Sequence, residues 1–233
     1  MSRPSNLFLA SLADADYELL HPHLKYVELA QGTVLFDIGT PIQQVYFPHS
    51  GVVSLVVDLA SGDTIESAMV GRESLVGASS GLNGQLSVCK AIVQIAATAT
   101  ALDSHRLRSL ADGSIACRTA LFRHEQLILV QAQQSAACNA THTIEARLAR
   151  WLLRCRDLQS GDDDLPLTQE FISQMMGVRR TSVSEVATTL QDAGLLRYRR
   201  GHIRVLDVDG LRKTACECYQ TVRTQAERLL KEG

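Results

Sequence analysis

Apolar and polar positions change rhythm several times along this chain. Residues 7–26 carry Leu7, Leu9, Leu12, Tyr17, Leu19 and Leu20 with acids between them, which predicts one amphipathic opening helix. From Val27 to about Leu102, short β-branched or aromatic runs (TVLF, QVYF, VVSLVV, TIESAMV, AIVQI) alternate with glycines at 32, 39, 51, 62, 71, 77, 81 and 84. Turn signals near every tenth residue predict a compact antiparallel barrel or roll. DSHRLRSLADG (103–113) reads as a short closing helix. Residues 114–138 hold no Gly or Pro, and Leu121, Phe122, Leu127, Ile128, Leu129 and Val130 exceed what a solvated helix needs. Pairing with a twin across a two-fold axis would use them; so would a core position within one chain. ATHTIEARLARWLLRCRDL predicts another helix, with Ile144, Leu148, Trp151, Leu152 and Cys155 as its stripe, and SGDDDLP (160–166) a polar hinge.

Leu167 to Leu206 carries the densest set of local signals. Thr168 can cap a helix whose apolar face is Phe171, Ile172, Met175 and Met176, and Gly177 ends it. A second helix follows at once. It has Val183, Val186, Ala187 and Leu190 on one side and Arg179, Arg180, Thr181, Ser182, Ser184 and Glu185 on the other. Two short helices, a glycine turn and a polar second front make a helix-turn-helix. LLRYRRGHIRVL then alternates as a hairpin turning near Arg200-Gly201, a wing, and Asp207 opens a terminal helix.

Charge sharpens this picture. The net charge is −2, yet residues 1–105 hold 4 Lys/Arg against 10 Asp/Glu, whereas Gly177 to Arg204 holds 6 Arg against Glu185 and Asp192. A basic segment coinciding with a helix-turn-helix suits phosphate. No apolar run reaches the ~18–20 residues of a membrane span, and MSRPSNLFLASLADADYELL lacks the layout of a secretory signal. The expected address is cytoplasmic, without membrane partners. The six cysteines (89, 117, 138, 155, 216 and 218) form no C-x-x-C pair. The single-residue gap of Cys216 and Cys218 suits neither a zinc knuckle nor a redox pair. No iron–sulfur cluster, haem, zinc or other cofactor is therefore expected. GASSG (77–81) matches an esterase nucleophile motif, but Leu82-Asn83-Gly84 makes a poor helix start after it, so no enzyme is expected.

LTQEFISQMMGVRRTSVSEVATTLQDAGLL with its basic wing resembles the DNA-binding domain of the Crp/Fnr family of bacterial transcription regulators. The upstream order Gly39, VYFPHSG, VVSLVVDLASG and Gly71-Arg72-Glu73 is similar to that family's cyclic-nucleotide-binding roll. The resemblance implies an α+β chain: a sensor roll over 1–113, a dimerisation helix over 114–138 and a winged helix-turn-helix over 139–233. It implies a homodimer on palindromic double-stranded DNA, with RNA polymerase as a further partner and a small-molecule effector of unknown identity. Thr168, Arg179, Arg180, Thr181, Ser182, Ser184, Glu185, Arg199 and Arg200 are the DNA-binding candidates. Arg180 is assigned to guanine, and Arg179 and the wing to phosphate. Gly71, Arg72, Glu73, Cys89 and Lys90 are the effector-pocket candidates. The sequence departs from the family in both places. Thr181 and Glu185 stand where well-known members have Glu and Arg, and Cys89 stands where the roll has its phosphate-binding Arg. Cyclic AMP is therefore expected to bind weakly or not at all. A cyclic-nucleotide-responsive regulator, or a module whose helix-turn-helix contacts protein, are the alternatives.

Overall fold

The computed structural model describes residues 4–84, 86–199 and 201–231. The opening segment forms two helices, α1 (Leu7–Ser11) and α2 (Asp14–Leu20), and a 3-10 turn over His21–His23, in place of the one predicted helix. Leu12 and Ala13 between them are extended, and Asn6 accepts the Leu9 N–H at 3.0 Å to cap α1. The break lets both short helices turn apolar residues inward, Phe8, Leu9, Leu12 and Leu20 packing with Phe47, Leu75 and Leu107.

The predicted roll follows as β1 (Lys25–Leu29), β2 (Val34–Phe36), β3 (Gln44–Pro48), β4 (Val52–Asp58), β5 (Thr64–Val70), β6 (Lys90–Ile95) and β7 (Ala97–Asp103). These strands form two antiparallel sheets, ordered β1-β7-β3 and β2-β6-β4-β5. Gly51, just before β4, has φ +73°, and a Cβ there would lie 2.6 Å from that of Ala97, so the corner admits only glycine. α3 (Ser104–Gly113) closes the roll, and α4 (Ile115–Thr141) runs on as one helix of 27 residues. Its buried residues are Cys117, Leu121, His124, Leu127, Gln131 and Cys138.

α5 (Ile144–Leu158) leads into β8 (Asp164–Leu165), α6 (Gln169–Met176), α7 (Arg180–Asp192), β9 (Leu196–Arg199), β10 (His202–Val205), α8 (Val208–Thr214) and α9 (Cys218–Lys231). β8 lies inside the expected polar hinge and adds a third strand to the hairpin, in the order β8-β10-β9. α9 folds back along α4. One apolar core runs from Val52, Val56 and Met69 of the roll, through Leu148, Trp151 and Leu152 of α5, to Ile172, Val183, Leu190 and Ile203. α5 is its hub. Among the described residues no helix is long and apolar enough to cross a membrane.

Candidate nucleic-acid interface

The side chain of Thr168 caps α6, its Oγ1 accepting the N–H of Phe171 at 3.1 Å. Gly177 follows α6 at φ +62°, and the Val178 N–H donates to the Ser173 carbonyl at 3.0 Å, closing the helix with a left-handed glycine. α7 starts immediately, with Val183, Ala187 and Leu190 buried. Its other side exposes Arg180, Thr181 and Glu185, with Arg179 just ahead, also exposed. Arg180, Thr181, Ser184 and Glu185 line one shallow surface hollow.

The ties on this face are weak. Arg180 Nε lies 3.6 Å from Glu170 Oε2, with both side chains about two-thirds exposed, so water or a ligand can replace the contact. Ser184 is more committed: its hydroxyl donates to Gln169 Oε1 at 2.7 Å and also lies near the Arg180 carbonyl. Ser182 is half-buried. In the β9–β10 hairpin, Arg199 stands opposite His202 across a turn containing Gly201 at φ +81°. Arg197, Arg199 and Arg204 are exposed, and Arg200 lies outside the described residues.

The five effector-pocket candidates do not converge. On β4, Lys90 sits opposite Val56 and Val70 opposite Val53, so three positions, about 10 Å of strand, separate the two groups. Lys90 Nζ pairs with Asp58, and the half-buried Cys89 bonds only locally, to Ser87. Gly71-Arg72-Glu73 leans on the C-terminal end of α5. Glu73 Oε1 accepts from Arg154 Nη2 at 2.8 Å, Arg72 Nη1 donates to Ser160 Oγ at 2.8 Å, and a Cβ on Gly71 would meet Leu158 at 2.9 Å.

Beside this contact lies a polar interior that sequence reasoning missed. Glu66 of β5 accepts from Trp151 Nε1 at 3.0 Å and contacts Ser54 Oγ at 2.6 Å, and Ser54 also contacts Gln94 Oε1. Burial pushes the Glu66 carboxyl up to about 7 despite the hydrogen bonds and the nearby Arg150 and Arg154. One hydroxyl proton cannot serve both Glu66 and Gln94, so a protonated Glu66 donating to Ser54 satisfies the chain of bonds. The adjoining cavity, lined by Glu66, Met69, Gln131, Arg150, Trp151 and Tyr219, holds about 20 Å³, room for about one water. On α4, His124 contacts Ser74 Oγ, and burial lowers its pKa to about 4, so it is neutral. ASSG of the GASSG motif lies in a 3-10 turn, Ala78–Leu82, with Gly77 as its N-cap and Asn83 ending it in the left-handed region, so no α-helix follows Ser79 as the esterase elbow requires.

The cysteines are scattered along the chain but not in space. Cys138 and His142 at the end of α4 meet Cys216, just ahead of α9, and Cys218, its first residue, one ligand atom from each lying within 4.8 Å of the others. The signal available was the four-residue step from Cys138 to His142, one turn of a helix, combined with C-x-C.

Residues 26–114 match the cyclic nucleotide-binding domain, and residues 146–214 match the Crp-like helix-turn-helix domain. Among solved structures, FixK2 from Bradyrhizobium japonicum is similar at a TM-score of 0.72 with 16% identity, over 83% of this chain and 98% of that one. TTHB099, a CRP-family transcriptional regulator from Thermus thermophilus, gives 0.68 with 22% identity, over 81% and 96%. The c-di-GMP-responsive global regulator CLP of Xanthomonas campestris gives 0.66 with 17% identity, over 83% and 99%. No curated protein matches the sequence.

Proposed function

Because this chain belongs to the Crp/Fnr family of transcription regulators, which are not enzymes, we propose that it acts in the cytoplasm as a homodimer that reads palindromic DNA. The observation that carries this reading is α7: its apolar side is locked into the core while Arg179, Arg180, Thr181 and Glu185 face outward together. Arg180, in the first turn of the recognition helix, can lay its planar fork on guanine O6 and N7 once it releases Glu170. Arg179, Arg197, Arg199, Arg204 and, by sequence, Arg200 hold phosphate. Thr181, Ser182 and Glu185 tune the remaining bases, while Ser184 and Thr168 set the pose of the two helices.

Dimerisation rests on α4. Ile115, Phe122 and Leu129 are 83%, 55% and 56% exposed and recur every seven residues, a stripe that a second copy of the helix covers. Two such chains place their α7 helices one DNA turn, ~34 Å, apart. In this reading residues 1–113 serve as sensor, 114–138 as dimer helix and 139–233 as the DNA-reading part, with RNA polymerase as the downstream partner. The sensor is not built for cyclic AMP, since Glu73 is spent on Arg154 and no guanidinium stands at Cys89. CLP responds to c-di-GMP; in this reading the signal at this chain's roll, of unknown identity, reaches the DNA-reading part through the Glu73–Arg154 contact with α5.

Selection from a random DNA pool with the full-length protein, followed by sedimentation of the complex, tests the proposal. An imperfect palindrome bound by two chains, with affinity falling steeply in salt, is the expected result. A monomer at micromolar concentration with DNA present, or no sequence enrichment, refutes it.

A further inference from the structure

We infer that Cys138, His142, Cys216 and Cys218 form a zinc(II) site that fastens the C-terminal helix to the far end of the long helix. Cys138 is in the last turn of α4 and His142 is its C-cap, so both project from one end of that helix. Cys216 lies in the link between α8 and α9, and Cys218 is the first residue of α9. All three cysteines are buried, and no disulfide joins them.

The spacing fits a tetrahedral ion. Zinc–sulfur bonds of ~2.3 Å and a zinc–nitrogen bond of ~2.0 Å set sulfur–sulfur edges of about 3.8 Å and sulfur–nitrogen edges of about 3.5 Å. Cys138 Sγ and Cys216 Sγ are 3.5 Å apart, and Cys218 Sγ and His142 Nδ1 are 3.6 Å apart. A disulfide needs ~2.05 Å between sulfurs, whereas all four ligand atoms here lie within 4.8 Å of one another, a spacing that a shared tetrahedral cation spans. The Cys3His set is soft and suits zinc rather than magnesium or calcium.

The surroundings match what a zinc site requires of its outer partners. His142 turns Nδ1 toward the sulfurs while Nε2 lies 3.2 Å from Glu217 Oε1, which fixes the tautomer and orients the ring. Thr141 Oγ1, 3.4 Å from the same Nδ1, is the contact that a metal would replace. Gln134 Nε2 donates to Cys218 Sγ at 3.0 Å, a bond a thiolate accepts better than a thiol. On binding, three thiols release three protons, and the resulting site carries one net negative charge. Arg147 and Arg150 of α5 lie close enough to act electrostatically on these sulfurs and offset it.

The position gives the ion a task. α4 ends at Thr141 and α5 begins at Ile144, so His142 sits in the joint between the long helix and the hub that carries the DNA-reading part. A zinc ion there makes α4, this joint and α9 one rigid unit.

Metal analysis of the full-length protein, purified under reducing conditions without chelator, is the first test. About one zinc per chain is expected, falling to background in Cys218→Ser and in His142→Asn but retained in Cys89→Ser, which removes a cysteine outside the cluster. A second measurement does not depend on the variants folding. The reduced wild-type chain, stripped of metal, is titrated with cobalt(II), and the intense visible bands of tetrahedral, thiolate-bound cobalt should appear and then vanish as zinc is added. Unfolding on stripping that zinc reverses and magnesium does not supports the site as well. A folded, reduced chain that takes up no cobalt overturns the proposal. So does a Cys138–Cys216 disulfide in protein purified with zinc present, which would make the cluster a thiol pair.

Discussion

The recognition helix and the loop over Gly71–Glu73 both carry sequence marks of ligand binding, yet the structure treats them oppositely. On α7 Arg180, Thr181 and Glu185 are exposed, and the Arg180–Glu170 contact is long and open to solvent. On the loop the polar groups are used up: Glu73 binds Arg154 with both side chains under one-fifth exposed, and Arg72 binds Ser160. A surface intended for an outside ligand keeps its charges solvated and cheaply replaceable, because an exposed ion pair contributes little. A sheltered pair is costly to break from one side, since the remaining charge is stranded. The α7 face therefore keeps its charges available to a ligand, and the Gly71–Glu73 loop is a structural joint between roll and α5.

Both regions draw on one core, and that shared core is where the contrast breaks most easily. Leu152→Ala removes a fully buried side chain from α5 and should cost about 2–5 kcal/mol. Denaturant unfolding followed both by Tyr and Trp fluorescence and by DNA binding should show one coincident transition; two separate transitions would mean the halves are independent. His124, buried with a pKa near 4 against 6.5 when free, contributes stability present above pH 6.5 and lost as pH falls through 4. That loss amounts to about 3 kcal/mol. Glu66, held near 7 against 4.5 when free, works the other way: its contribution is complete below pH 4.5 and lost as pH rises through 7. His124→Asn should flatten the acid limb of the stability profile and Glu66→Gln the limb between pH 4.5 and 7. Unchanged limbs would show that these groups titrate as they do in the unfolded chain.

The loop itself gives a sharper contrast. A guanidinium clamp on a cyclic phosphate contributes ~1.5–3 kcal/mol. With Cys89 in its place and Glu73 held by Arg154, calorimetry should detect no micromolar affinity for cyclic AMP or cyclic GMP. A micromolar constant would mean that the loop is a working pocket after all. On the exposed side, Arg180→Ala should cost about 1–3 kcal/mol per half-site and relax preference at one base. Ser184→Ala, whose hydroxyl is already committed to Gln169, should change selectivity far less.

The helix-turn-helix was legible because its determinants are local: a cap at Thr168, a left-handed Gly177, and apolar residues at helical spacing all lie within a few turns. The roll was legible for the same reason, strand by strand. What escaped is long-range. β8 is two residues in a polar stretch and is a strand only because β10 lies beside it. The opening helix splits at Leu12 and Ala13, and Phe8 and Leu20 from its two halves reach one core with Phe47, Leu75 and Leu107 of distant segments. Glu73 with Arg154, Glu66 with Trp151, and Cys138 with Cys216 are separated by 81, 85 and 78 residues. No periodicity reaches across such gaps. Residues whose role is set by neighbours in sequence could be read, and those set by neighbours in space could not.

The smallest expected effect also tests whether the exposed arginines of the hairpin act as a class apart from Arg180. Arg199 is exposed on β9, so its expected contribution to DNA binding is neutralisation of a phosphate and release of condensed counterions. Such a contact carries no sequence information, and Arg199→Ala should weaken operator and random DNA by the same factor, about 1 kcal/mol or less per phosphate near physiological salt. Its signature is the slope of log affinity against log salt, which should flatten by about one unit for each phosphate no longer neutralised. A dimer carries two copies, so the slope on a full palindrome should fall by about two units and on an isolated half-site by about one. Equal slopes for variant and wild type would place Arg199 off the DNA. A loss confined to the operator would make it a base-reading residue and erase the division between α7 and the hairpin.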